Sequence, residues 1–384
     1  MLLYYYGFFC VLFLTALSGC NLSNGGELRG VLFTAKACPQ NNNLNFFEEV
    51  RMHGDFLRSD CDAVAEALND PALTAVTREF GPTIISLDKL PLKSDIAISP
   101  HKPWSSWWYP KREDFLFVKG ENSTLGKYDS IRRLIYKRAS RPTPGSALQH
   151  EQKSYNRNFA MWEGLCDAWA IASILKPEPR KPVKFSFNFS SLTFDVVDLK
   201  ALLLKTFDAA DESNLRYYGQ KFTGSANSWI YPDIFPEQFH RLMEEQLFSR
   251  KQPFVMDHDA GVEVWNVPIY KANYQMHTIA GESNSVVVRT WIYAAEPTLP
   301  NDKNLVGTRE TIREYNYVLK GNKNEHGELV VTSGYWIKGS NGVDSRRDHP
   351  DYLIRVVDPE KLVRKSWNPE IEVQIVDKIL ESAY

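Results

Sequence analysis

The order of the sequence patterns along the chain constrains the fold most strongly. Before residue 250, apolar residues recur at the three- and four-residue steps of amphipathic helices, as in residues 128–137, 195–209 and 236–250. After that point strand-like runs dominate, at residues 253–257, 262–272, 285–294, 314–320, 329–337 and 353–357. Helices followed by antiparallel strands indicate an α+β fold, with a short strand at 183–189 and a last helix at 369–382.

The clearest helical pattern runs from residue 148 to residue 175, and Gly164 interrupts it just before Cys166. A glycine there lets the chain turn, so that Cys166 begins a helix. The partial positive charge at a helix N-terminus favours a thiolate. The alternative is a buried cysteine in an ordinary amphipathic helix, because free cysteine packs as a small apolar residue.

The first twenty residues have the pattern of an export signal. Residues 1–19 are largely apolar, lack acidic residues and end in Leu-Ser-Gly before Cys20, which resembles a bacterial lipobox. The segment also lacks Lys and Arg, and a short transmembrane anchor is the alternative. We therefore expect an exported protein that reaches the membrane through a lipid on Cys20. Asn21 favours the outer membrane, and residues 20–45 read as a polar tether.

The sequence predicts different roles for the five cysteines. Cys10 lies in the segment expected to be removed, and Cys20 would carry the lipid. Cys38 and Cys61 could pair in an oxidising compartment. Cys166 is then left over, and an odd thiol in an exported protein predicts a reactive role.

Composition excludes several other classes. The formal net charge is −2, and Lys and Arg form no stripe, so no nucleic-acid partner is expected. Zinc-type His and Cys spacings, phosphate-binding loops and dinucleotide-binding glycine patterns are absent from the sequence, so we expect neither metal nor cofactor. The aromatic cluster at 103–110 could line a groove or form a corner of the core. Asp198 and Lys200 are expected to cap and solvate their helix.

Several motifs, taken in order, resemble the transglutaminase elicitor family of oomycetes and its bacterial relatives. They are Trp-Glu-Gly-Leu-Cys-Asp-Ala-Trp-Ala at 162–170, Asp-Leu-Lys-Ala-Leu-Leu at 198–203, Phe-Val-Met-Asp at 254–257 and Glu-Val-Trp-Asn-Val-Pro at 263–268. The aromatic cluster before residue 110, Lys-Tyr-Asp at 127–129 and His-Pro-Asp-Tyr at 349–352 add to the resemblance. It spans roughly residues 100–360.

The resemblance implies calcium-independent thiol enzymes that join glutamine and lysine side chains of proteins or peptides, with machinery distantly like that of papain. It implies a papain-like or transglutaminase-like fold with a helical N-terminal half and the nucleophile helix packed on an antiparallel sheet. The chain departs from the family pattern at Asp167-Ala168, where relatives commonly have His or Asn and then Gly, and at Val267, where they often have Gln. A carboxylate beside a thiol disfavours the thiolate.

A thiol acyltransferase needs a base and a group that orients it. In the family a Phe-His pair precedes the Phe-Val-x-Asp strand, and Phe239-His240 stands in that relation to Asp257. His240 is therefore the expected base and Asp257 its partner. The rival bases are His258, next to Asp257, and His349. Trp265 and Asn266 are expected to flank the site, the first excluding water and the second supporting the oxyanion or the imidazole.

The predicted organisation is a signal peptide at 1–19, a tether at 20–45, a helical N-terminal region at 46–100 and a catalytic domain at 101–384. The predicted function is thiol acyl transfer of the transglutaminase type, through a thioester on Cys166. Two alternatives stay open: a cysteine peptidase or amidase that uses the same residues, and a non-catalytic envelope lipoprotein that keeps the fold as a binding module.

Overall fold

Helices and strands follow one another as the α+β prediction requires. The computed structural model describes residues 71–187, 191–219, 234–259, 261, 263–337 and 349–384. The predicted signal peptide and tether, the lipidation site Cys20 and the pair of Cys38 and Cys61 lie outside the described residues. In the described ranges, no helix combines the length and apolar character needed to cross a membrane.

The described helices match the periodic segments of the sequence. They are α1 (Pro71–Phe80), α2 (Thr124–Arg138), α3 (Ala147–Ser154), α4 (Cys166–Leu175), α5 (Val196–Lys205), α6 (Pro236–Met243) and α7 (Val373–Leu380). A π-helical turn, Glu244–Ser249, extends α6. Ser123 and Ser146 begin α2 and α3 as N-caps, each accepting a hydrogen bond from a backbone N–H of the first turn.

Ten of the described strands form one antiparallel sheet. They are β1 (Ile84–Ile85), β2 (Leu92–Lys93), β3 (Ala97–Ile98), β6 (Leu215–Gly219), β7 (Phe254–Asp257), β8 (Asn266–Thr278), β9 (Ser285–Ala295), β10 (Glu310–Lys323), β11 (Leu329–Ile337) and β12 (Tyr352–Val356). Their order in the sheet is β1-β11-β10-β9-β8-β7-β12-β6, and β2 and β3 also pair with β8. A separate hairpin pairs β4 (Val183–Ser186) with β5 (Ser191–Phe194). The mixture of helices and antiparallel sheet confirms the predicted fold class.

The structure refines one helix prediction and corrects another. The helical pattern over 148–175, which Gly164 interrupts, forms two helices, because residues 155–165 form a loop in which Leu165 N–H donates to the Trp108 carbonyl over 2.6 Å. A Cβ on Gly164 would lie 2.5 Å from that same oxygen, so only glycine allows this close approach. In the region predicted to be helical over 46–100, residues 84–98 instead contribute β1, β2 and β3 to the sheet.

The helices lie on both faces of the sheet. Helix α4 packs against β7 and β8, and α6 packs against β10 and β11. Because side chains alternate along a strand, the register decides which face each residue occupies. Ile269 and Tyr274 pair with Ala294 and Thr290, which are four residues apart on β9, so Ile269 and Tyr274 share the α6 face. Asn266, three residues before Ile269, points to the opposite face.

Lys200 corrects a second expectation. Asp198 does cap α5, in a capping box with Asp195. Lys200, however, is fully buried rather than solvated, and its ammonium binds Glu178 and the carbonyls of Ser105 and Leu305 at 2.6–2.8 Å. Burial lowers the pKa of Lys200, and Glu178 opposes that shift. The ammonium thereby fixes the aromatic segment 103–110, whose Trp104 and Trp107 are buried.

Substituting Glu178→Gln tests this tie. The change leaves a buried cation without its counter-charge, so we expect the free energy of unfolding in urea to fall by about 3 kcal/mol. The control is Asp358→Asn, which removes a carboxylate from the exposed ion pair with Lys361 and should leave stability unchanged. Equal effects of the two substitutions would contradict the structural role given to Lys200.

Candidate active site

Cys166 is the first residue of α4 and is 4% exposed. Its Sγ lies 3.4 Å from Asp167 Oδ1 and 3.8 Å from the Val264 carbonyl oxygen. Small and apolar residues follow it on the helix, and Ala168, Ala170 and Ala172 are buried. They let α4 pack closely on β7 and β8, which brings the thiol to the sheet.

The groups around the thiol are polar. Asn266, which is 1% exposed, donates from Nδ2 to Asp167 Oδ1 over 2.5 Å and to the Tyr352 hydroxyl over 2.8 Å. Asp257 pairs directly with Asn266 across β7 and β8, so both side chains occupy one face of the sheet. A purely structural cysteine needs no such surroundings, because burying polar groups costs free energy.

Asp257 is completely buried. Its Oδ1 accepts the backbone N–H of Trp265 over 3.1 Å, while Oδ2 has no hydrogen-bond partner among the described residues. Burial raises the pKa of Asp257 well above its ordinary value, and the charges of Asp259 and Asp167 add to the rise, against the Trp265 hydrogen bond. The carboxyl group therefore tends to hold its proton.

The thiol is held in its protonated form. Burial raises the pKa of Cys166, the charge and hydrogen bond of Asp167 raise it further, and Asp257 contributes in the same direction. The backbone hydrogen bond from Asn266 works against them. The site therefore disfavours the thiolate, as expected from the carboxylate of Asp167 beside the thiol.

The structure does not bring His240 to Cys166. His240 is fully buried on α6, where Nδ1 bonds the Tyr317 hydroxyl over 2.6 Å and Nε2 lies 3.6 Å from Glu244 Oε1. Its ring also packs on Tyr274, with centroids 5.0 Å apart. Tyr274 belongs to the face of the sheet opposite to Asn266 and Asp257, so the sheet separates the predicted base from the thiol. The predicted triad of Cys166, His240 and Asp257 is not formed in this structure.

The rival histidines have contacts of their own. The carbonyl of His258 accepts the Tyr315 hydroxyl over 2.9 Å. His349 is buried and stacks on Trp336, at a centroid distance of 5.9 Å and an interplanar angle of 20°. The hydrogen bonds that the structure describes for Cys166 Sγ go to Asp167 and to the Val264 carbonyl.

Two tryptophans flank the site. Trp265 and Trp108, both half-buried, meet edge to face with centroids 5.6 Å apart. Each adjoins the backbone at the thiol, since Val264 precedes Trp265 and Leu165 N–H bonds the Trp108 carbonyl. Trp265 and Asn266 thus both lie close to the backbone or side chains around Cys166, and their roles stay predictions.

A cleft of about 420 Å³ reaches the beginning of α4. Gly164, Leu165, Asp167 and Ala168 lie on its wall, and Asp167 is exposed. Aromatic and apolar residues supply much of the remaining wall, among them Phe115, Phe117, Tyr155, Phe159, Phe207 and Trp367. Within the described parts of the chain, no group of three or more His, Cys, Asp or Glu side chains could hold a metal ion.

Sequence reasoning missed Tyr352 and gave Trp108 no role at the thiol. Tyr352 stood in the motif at 349–352 that supported the family resemblance, which was the available signal. Its ring packs on Tyr217 at 6.1 Å, and its hydroxyl accepts from Asn266. Tyr352 lies at the site because β12 pairs with β7, and no local sequence pattern predicts that pairing.

The substitution Asp257→Asn tests the protonated state of the buried carboxyl group. The unfolded chain ionises an Asp above about pH 4, whereas the folded site resists ionisation, so the native carboxyl costs stability as pH rises. We expect Asp257→Asn to leave the midpoint of thermal unfolding nearly unchanged at pH 4 and to raise it at pH 7. The gain should grow by roughly 1.4 kcal/mol per pH unit until the native group ionises. A gain independent of pH would show that Asp257 is ionised in the folded protein.

Comparisons with known proteins agree with this fold. The sequence model of the transglutaminase elicitor family matches residues 144–303, which include Cys166, His240, Asp257 and Asn266. Among solved structures, the GP42 transglutaminase from Phytophthora sojae aligns with a TM-score of 0.54 and 19% identity, over 82% of this chain and 97% of that one. No curated protein sequence gives a significant match. Residues 144–303 are thus similar to the transglutaminase elicitor family, and the fold is similar to that of a transglutaminase.

Proposed function

We propose that the chain is a thiol acyltransferase of the transglutaminase type, with Cys166 as its nucleophile. The observation that carries the proposal is the set of polar groups around the thiol, formed by the exposed Asp167 and the buried Asp257, Asn266 and Tyr352. The family match and the likeness in fold to a transglutaminase support the same reaction class. Proteins or peptides with accessible glutamine and lysine side chains are the proposed substrates.

In the first proposed step, Cys166 Sγ attacks the carbonyl carbon of a side-chain carboxamide. Backbone N–H groups at the beginning of α4 hold the oxyanion, where the helix dipole also favours negative charge. The C–N bond then breaks, ammonia leaves and a thioester remains. Overall, the proton that converts the departing amide nitrogen into ammonia comes from the Cys166 thiol.

Asp257 is the proposed carrier of that proton. Its raised pKa keeps the carboxyl group protonated, and its Oδ2 has no partner among the described residues. Such a group can protonate the departing nitrogen and recover a proton from the thiol. In the second step an amine attacks the thioester, its proton returns to sulfur by the same route, and an amide bond forms. With water in place of the amine, the product is a carboxylic acid.

His240 keeps its place as an untested prediction for the base. As a base for Cys166 it would have to reach the other face of the sheet, whereas Asp257 pairs with Asn266 on the face that the nucleophile helix covers. For this reason the proposed proton transfer runs through Asp257 rather than through His240.

A second candidate is a non-catalytic binding module that keeps the fold. One observation favours it: the thiol faces the carboxylate of Asp167, which raises the thiol pKa, and this is a poor arrangement for a nucleophile at neutral pH. Both candidates suit the exported, lipid-anchored setting that we propose from the sequence pattern around Cys20.

Replacing the nucleophile separates the candidates. We expect Cys166→Ala to lower ammonia release from a glutamine-containing peptide by at least about 10⁴-fold, because no other group can form the thioester. Asp358→Asn serves as the matched control and should retain full activity, with circular dichroism confirming both folds. If wild-type protein releases no ammonia from any glutamine peptide or protein offered, the binding module is favoured; undiminished release by Cys166→Ala would rule out the thioester route.

The role of Asp257 has its own test. Asparagine keeps the acceptor for Trp265 N–H but cannot carry a proton, so Asp257→Asn should lower the turnover number by about 10²- to 10⁴-fold. The Michaelis constant for the peptide should change little. Mass spectrometry of the products, with and without added amine, separates amide exchange from hydrolysis. A variant as active as wild type would remove Asp257 from the mechanism.

A further inference from the structure

Trp367 is an exposed tryptophan on a fixed backbone. It is 77% exposed, whereas its neighbours Ser366 and Asn368 are buried. Its backbone N–H donates to Asp208 Oδ1 over 2.9 Å, and Asn368 Nδ2 donates to the Ala147 carbonyl over the same distance. The chain is thus held on both sides of a large apolar side chain that projects into solvent. Such a residue loses little conformational freedom when a ligand covers it, because only its side-chain torsions remain to be ordered.

The tryptophan lies on the wall of the cleft that reaches the nucleophile helix. Leu165, the residue before Cys166, belongs to the same wall. Other rings on this wall are half-buried, which leaves part of their surface open to a ligand; they are Phe115, Tyr155 and Phe159. The volume of about 420 Å³ falls within the usual range for ligand pockets. A molecule that fills the cleft therefore lies beside the candidate active site.

These half-buried rings offer carbon surface rather than hydrogen bonds. The hydroxyl of Tyr155 already donates to the Arg112 carbonyl over 2.8 Å, and the other two rings are phenylalanines. Lys205, on the same wall, is paired with Asp208 and Glu151 at 2.6 and 3.1 Å. An apolar side chain gains free energy by leaving water for such rings, and an aromatic one gains further from ring–ring contact. A sugar would leave hydroxyl groups without partners against them. The wall therefore favours an apolar side chain.

A second groove continues the surface beyond Trp367. It has a volume of about 830 Å³, and most of its wall comes from residues 364–374. The groove and the cleft share Trp367 and His150, so these two residues form the ridge between the two depressions. A small ligand fills one depression, whereas an extended chain can lie in both and cross the ridge over the tryptophan ring. An extended peptide is therefore the occupant that fits both surfaces.

We propose that Trp367 and the cleft form a subsite for extended peptide substrates, in which a large apolar side chain packs on Trp367 and a glutamine of the same peptide enters at the beginning of α4. This inference rests on the proposed function and names its substrate class: glutamine with a bulky apolar residue in the same segment. Binding of the apolar side chain holds the carboxamide near Cys166, which raises the effective concentration of the reacting groups. Glutamine among small and polar residues is then a poor substrate.

The test measures peptide binding to the full chain carrying Cys166→Ala, so that turnover does not interfere. Isothermal titration calorimetry compares a glutamine peptide flanked by glycine and serine with a set in which one phenylalanine is moved stepwise along each flank. At the best position we expect phenylalanine to tighten binding roughly tenfold, the gain from burying one aromatic side chain. Adding Trp367→Ala should remove most of that gain, while Trp367→Phe should retain most of it. The matched control is Val363→Ala, at a 59% exposed apolar residue outside the wall of the cleft, and it should behave like the parent.

Equal binding of the phenylalanine and serine peptides at every position, or an undiminished gain in Trp367→Ala, would overturn the subsite. Trp367-dependent binding of an N-acetylglucosamine oligosaccharide, or a Trp367-dependent dimer in sedimentation, would also overturn it if no peptide binds. Ammonia release by the wild-type protein without any preference for phenylalanine in binding would refute the subsite alone and leave the proposed function standing. Trp367-dependent peptide binding, with no ammonia release from the same peptides by the wild-type protein, would support the peptide subsite and remove the proposed reaction.

Discussion

The amide of Asn266 is the contact on which the site depends. Its nitrogen binds Asp167 on the nucleophile helix and Tyr352 on β12, while its strand pairs with β7 at Asp257. One side chain thus joins three elements that are far apart in sequence. A shift of one residue in the register of β8 would turn Asn266 to the other face and separate the helix from its polar partners.

This arrangement gives the thiol an acidic environment. Two carboxyl groups, one exposed and one buried, act on Cys166, and both favour its protonated form. Activated cysteines in thiol enzymes are instead stabilised as thiolates by a neighbouring cation or imidazole. The chain therefore combines a fold similar to that of a transglutaminase with a thiol whose pKa is raised above its ordinary value.

The opposite face of the sheet carries its own buried polar group. His240, Tyr317 and Thr290 form a chain of hydrogen bonds, with Glu244 and Tyr274 beside the imidazole. These partners hold the histidine between α6 and the sheet, where it links the helix to the long strands. The position of His240 after Phe239 in the sequence therefore corresponds to a buried structural contact in this structure.

The sequence by itself determined the α+β class, most strands after residue 250 and the placement of Cys166 at a helix N-terminus, because these follow from periodicity and from a glycine at one turn. Motifs also indicated a resemblance to the transglutaminase elicitor family and singled out Asp257, Trp265 and Asn266 as candidates. Only the tertiary structure decided which histidines could reach the thiol, because the face on which a side chain lies depends on strand register and on the irregularity in β8 near residue 270. It also decided that Asp167 and Tyr352 surround Cys166 and that Lys200 is buried. These outcomes depend on contacts between distant segments, which no local pattern encodes.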